Sequence, residues 1–104
     1  GRTGAGGFEK VDVTESALAI LKAVKHTKEA TLGRITEIVT LNRNVRANQH
    51  IEGAGVCKGM HSYDVHRIVM ALHAEESLSD FTRVSQTNNV PITLFTVSAF
   101  FVNV

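Results

Sequence analysis

The chain has 104 residues, 43% hydrophobic and 20% charged, with eleven Lys/Arg against ten Asp/Glu and a single cysteine. That length supports one domain around one modest core. No apolar run approaches the ~20 residues of a membrane-crossing helix, no charged start leads into an apolar stretch of signal-peptide type, and one cysteine excludes an internal disulfide and fits a reducing compartment.

Residues 1–7, GRTGAGG, are too glycine-rich to pack. They read as a linker end within a flexible segment over residues 1–10, ahead of one domain over residues 11–104. No Lys-Ser/Thr pair follows these glycines, so they do not form a phosphate-binding P-loop. A first helix is predicted over residues 12–25. Asp12 and Glu15 have capping-box spacing, with Thr14 as a rival cap. Val13, Ala17, Ile20, Leu21 and Val24 form its inward stripe, and Lys22, Lys25 and Lys28 put positive charge at its end, where the helix dipole favours it. A second helix is predicted over residues 31–41, capped by Thr31, with Leu32, Ile35, Ile38 and Val39 facing inward. The polar stretch LNRNVRANQH follows, residues 41–50. Val45 is expected to anchor a short helical turn there, and the crowding of Asn42, Arg43, Asn44 and Arg46 marks either a solvated connector or a binding loop.

Gly53 and Gly55 break the chain, and GVCKGMHSYDVHRIVMAL, residues 55–72, opens the most informative segment. Its third helix is predicted over residues 62–74, with Ser62 as cap and Val65, Ile68, Val69 and Leu72 as the buried i, i+3, i+4, i+7 stripe. The loop before it and its other face carry Lys58, His61, Ser62, His66 and Arg67. A helix that buries one side and offers cations and hydroxyls at its N-terminal end suits nucleic-acid phosphates. Two β-branched and aromatic runs, residues 78–84 and 92–97, flank SQTNNVP, where Asn88 and Asn89 form the turn of a β-hairpin. The apolar tail Phe100, Phe101 and Val102 is expected to pack back on the core. Three helices, a basic third helix and a hairpin make an α+β winged helix, a helix-turn-helix core with a β-wing.

The net charge of +1 hides an asymmetry. Residues 22–67 hold eight Lys/Arg against four Asp/Glu, and the rest of the chain three against six. A polyanionic partner would therefore meet the middle of the chain. Cys57, His61 and His66, with His50 and His73 further along, are a weak zinc constellation, since structural zinc usually brings paired cysteines in closer spacing. No orienting third residue makes Cys57 a nucleophile.

The chain resembles the RQC domain, the winged-helix module in the C-terminal part of RecQ-family DNA helicases, most closely the Bloom/Sgs type. Asp12-Val13-Thr14-Glu15 with the stripe to Val24, LGRITEIVTLNRNVR over residues 32–46, and residues 55–80 carry the likeness, in the family's order. The resemblance implies binding to duplex or forked DNA near a single-strand junction, and to G-quadruplex DNA. It also implies a nuclear helicase of repair, recombination and replication. Asn42, Arg43, Asn44 and Arg46 would meet phosphates, as would Lys58, His61, Ser62 and Tyr63, with His66 and Arg67 further along the helix. This chain lacks the ATPase motifs and the zinc-subdomain cysteines. It is expected to hold no cofactor and no catalytic site of its own, with ATP, Mg and zinc belonging to other parts of the helicase, and to be monomeric as an isolated domain. The short hairpin tip, residues 86–89, lacks an aromatic wedge. Asp64, Glu75 and Glu76 depart from a phosphate-friendly surface. A protein-docking winged helix, using the acidic half and the apolar tail, is the alternative from another class. A sequence-specific regulator, reading bases through His66 and Arg67, ranks last.

Overall fold

The structure, a computed structural model, describes the backbone of residues 6–99 and the side chains of residues 13–99. The tail at Phe100, Phe101 and Val102 lies outside the described residues. Helix α1 spans Gly6–Thr27, so Asp12 falls inside the helix and does not cap it. Ile20, Leu21 and Val24 are buried as expected, Ala17 is partly buried against the core, and Val13 is 43% exposed. The closely packed face runs instead through Ser16, Ala19 and Ala23. These small residues let the chain approach closely, and a stripe of large apolar residues does not register them.

Helix α2 spans Leu32–Thr40. Its cap is Thr31, whose hydroxyl accepts the Arg34 N–H at 3.1 Å and so satisfies an otherwise orphaned donor. Leu41 ends it in the left-handed conformation, φ 53. Helix α3 is the short turn Val45–Asn48. Val45 does not anchor it: that side chain is 47% exposed, whereas Asn48 is fully buried. Four residues cannot hold a helix by themselves, and a buried amide with several partners supplies the missing tie.

Helix α4 spans Ser62–Ala74, with Val65, Ile68, Val69 and Leu72 buried. Its cap is His61, not Ser62, because the imidazole Nδ1 accepts the Tyr63 N–H at 3.0 Å. Strands β1, Leu78–Val84, and β2, Pro91–Val97, pair antiparallel from Leu78↔Val97 to Val84↔Pro91. The wing turn closes through Ser85 N–H to Val90 O, 3.0 Å, with Asn89 at φ 58.

The core lies where α1, α2 and α4 meet the base of the hairpin: Ile20, Val24, Ile35, Ile38, Val39, Val65, Val69 and Leu78 are all buried. Ala30, between α1 and α2, exchanges both backbone hydrogen bonds with Phe95 and so adds a bridge beside β2. The result is the α+β winged-helix plan, with the hairpin base in the core and its tip in solvent.

Candidate nucleic-acid interface

A helix leaves its last carbonyls without intrahelical partners. At the end of α2 Leu41 N–H closes the last i→i−4 bond, to Glu37 O at 2.9 Å, and the glycine-bounded loop before α4 supplies two outside partners: Gly55 N–H reaches Ile38 O at 3.1 Å, and Cys57 N–H reaches Val39 O at 2.8 Å. The stretch after α2 and the glycine-bounded stretch before α4 are thus tied to one helical turn. The sequence separates these two candidate binding segments by about a dozen residues, and α2 brings their roots together.

The first loop is held by polar side chains. Asn48 Nδ2 donates to Glu37 Oε2 at 2.8 Å and to the Arg43 carbonyl at 3.2 Å, while its Oδ1 accepts from Arg34 Nη1 at 2.6 Å. Glu37 Oε2 also accepts from Asn44 Nδ2 and from Arg34 Nη1, each at 3.2 Å. The Glu37 carboxyl is held below its ordinary value of 4.5, by the hydrogen bonds from Asn48 and Asn44 first and by Arg34 after them, against the cost of desolvation. Arg34, Glu37 and Asn48 did not stand out in the sequence. The i,i+3 spacing of Arg34 and Glu37 was the one available signal, and Asn48 looked like another polar loop residue.

The cations of α2, α4, the wing and the two loops divide into two groups. Arg34 pairs with Glu37, Arg67 with Asp64 at 3.8 Å, and Arg83 with Glu29 at 2.6 Å. Arg43, Arg46 and Lys58 are exposed, and among the described residues none of their charged groups makes an ion pair or hydrogen bond. Their charge is therefore available to an incoming anion. Asn42 is exposed beside them, and Asn44 sits at φ 49 with its amide turned to Glu37.

His61, Ser62 and Tyr63 are exposed at the start of α4, with the Tyr63 ring edge-on to His61 at 6.4 Å. Since Nδ1 of His61 accepts a hydrogen bond, the neutral ring carries its proton on Nε2, which leaves that N–H as a donor for another partner. His66 is half-buried one turn further on, and the Arg67 guanidinium faces Asp64.

Other candidates separate. His50 packs edge-on against His26, ring centres 6.1 Å apart, and among the described residues no three His, Cys, Asp or Glu gather to hold a metal ion. Cys57 is fully buried, and burial pushes its thiol above the ordinary 9.0, partly offset by a hydrogen bond with Ser16. The wing is anchored at its base by His73 Nε2 and Asp80 Oδ1, 2.9 Å apart, and by Thr96 Oγ1 donating to Lys28 O at 2.8 Å. Its tip, residues 86–89, is exposed and holds no aromatic side chain.

No curated protein matches the chain. The family model of the RQC domain matches residues 7–94, from the first helix into the second wing strand. An RQC domain is the winged-helix, DNA-binding module in the C-terminal part of RecQ-type helicases. With three helices around one core, a hairpin wing and a match over most of its length, the chain belongs to the RQC domain family.

Proposed function

We propose that this chain grips duplex DNA by its phosphates beside a single-strand junction, as the DNA-binding module of a Bloom/Sgs-type RecQ helicase. The ATPase core, outside this sequence, would draw one strand away while the grip holds the duplex in register. The observation that carries the proposal is that three exposed cations, Arg43, Arg46 and Lys58, without an acidic partner among the described residues, lie on two loops rooted at one end of α2. The start of α4 extends the surface with the His61 Nε2–H, the Ser62 hydroxyl and the Tyr63 ring. His66 and Arg67 form its margin. Arg67 must leave Asp64 to join, at little cost, because both side chains are more than half exposed and such pairs contribute little. The short wing without an aromatic tip supports gripping over wedging. Nuclear work in repair, recombination and replication, and binding to G-quadruplex DNA, belong to the same proposal.

Phosphate contacts release counterions, so affinity must fall steeply with salt. The test is binding of the 104-residue chain to a labelled forked duplex and to its separate strands across a salt series. Fork or duplex preference with a steep salt slope is expected. Arg43→Ala/Arg46→Ala should weaken binding and flatten the slope by about two units. An unchanged slope removes the loop from the interface. Absence of binding at low salt refutes the DNA grip and favours protein docking.

A further inference from the structure

We infer that Glu37, an acidic residue, is a positioning residue of the DNA interface: its Oε2 atom fixes the loop that presents Arg43 and Arg46. This rests on the DNA-grip reading above. An unaided carboxylate beside a phosphate site repels the ligand, so its presence there calls for a compensating role. The geometry supplies one. A single oxygen accepts three N–H donors that converge from three parts of the segment: Arg34 of α2, Asn44 at the start of α3, and Asn48 at its end. Arg43 and Arg46 lie within this frame, and Asn48 also binds the Arg43 carbonyl.

The loop needs such a tie. Helix α3 has four residues and three backbone bonds of its own, from Ala47, Asn48 and Gln49, too few to persist alone. Leu41 and Asn44, three residues apart, both hold left-handed φ angles, 53 and 49. Non-glycine residues rest there only where surrounding contacts over-determine the backbone. The frame is also nearly charge-neutral, because Arg34 balances Glu37, so the loop's positive field comes from the two outward arginines. Loss of Oε2 would leave Asn44 untethered and the buried Asn48 amide short of an acceptor. The two guanidiniums would then lose their fixed spacing against the phosphate repeat, and preorganised contacts bind more tightly than mobile ones.

Electrostatics and positioning predict opposite signs, which makes the inference testable. Glu37→Ala removes a negative charge and frees Arg34, so charge alone predicts tighter DNA binding. Positioning predicts binding to the forked duplex weakened about tenfold, with a slope flattened by about one to two units. Glu37→Gln, which can place an amide oxygen at the same point, should recover most of the affinity. Asn44→Gly, at an exposed position where glycine accepts the φ of 49 readily, guards against a folding defect and should reproduce the loss. In an Arg43→Ala/Arg46→Ala background the Glu37→Ala effect should largely vanish, since a frame with nothing to present has nothing to lose. Tighter or unchanged binding by Glu37→Ala, no loss with Asn44→Gly, or a loss that adds fully to that of the arginine pair overturns the inference. If the arginine pair itself has no effect, the loop's role in the proposed function fails together with it. A weakened arginine pair with an additive Glu37 loss brings down this inference alone.

Discussion

Gly53 holds the second loop against α1, and replacing it by alanine is the sharpest test of how that loop is built. Its φ is +89, and a Cβ added there would meet the Ala19 carbonyl oxygen at 2.3 Å. Two costs follow. A side chain in the left-handed region costs about 1–2 kcal/mol. Overpacking against a backbone that cannot swing aside costs about 1–3 kcal/mol. Together they take about 2–5 kcal/mol from a domain whose whole stability is about 5–15 kcal/mol. At about 4–8 °C per kcal/mol for a domain near this size, Tm should fall by about 8–40 °C. Gly33 is the internal control: it lies in α2 with nothing within 4 Å of its added Cβ. Alanine there gains helix propensity of up to about 1 kcal/mol, so Tm should stay or rise slightly. Thermal melts followed by circular dichroism read both variants. Because the loop carries Lys58 and is tied to α2 through Gly55 and Cys57, Gly53→Ala should also weaken DNA binding below its melting range. A Gly53→Ala melt within a few degrees of wild type would refute the close approach to α1.

Two titratable groups give further predictions. The Glu37 carboxyl is lowered below 4.5, so its stabilising contribution is present above the unfolded value and lost as pH falls through the folded one. Urea midpoints of wild type and Glu37→Gln should therefore differ at neutral pH and converge below pH 4.5, and a pH-independent difference would contradict this. The Cys57 thiol is raised above 9.0, so its contribution is present below the unfolded value and declines as pH rises through the folded one. Alkylation of the native protein at pH 8 should be slow and become fast in denaturant, since the thiol is buried and the thiolate is the nucleophile. Equal rates in the two states would show that the site is open.

Much of the fold could be read along the chain because it is set by local rules. The α4 stripe needs only the period of a helix, and Val65, Ile68, Val69 and Leu72 are all buried. Thr31 caps α2, and the hairpin turn at Asn88 and Asn89 lies between strands that match the two apolar runs. Glycine-bounded loops, basic residues and helix order together led to the winged helix and to the RQC family that the comparison supports. The differences have two causes. His61 in place of Ser62 as cap is a local choice, an imidazole accepting the N–H two residues on, whereas Asn48 in place of Val45 as anchor, and Ser16, Ala19 and Ala23 in place of Val13 as packing face, depend on partners elsewhere in space.

The sequence by itself determined the order of the elements, the apolar faces of α2 and α4 and the basic middle of the chain, because periodicity, capping chemistry and charge are properties of neighbouring residues. Only the tertiary structure decided that Glu37 collects Arg34, Asn44 and Asn48. It likewise decided that Arg83 pairs with Glu29, far away along the chain, and that the glycine-bounded loop roots at the end of α2. Hydrogen bonds and ion pairs act over a few ångströms in space whatever the separation along the chain. Which cations remain free, and which polar residue holds the rest in place, is therefore settled when the chain closes on itself.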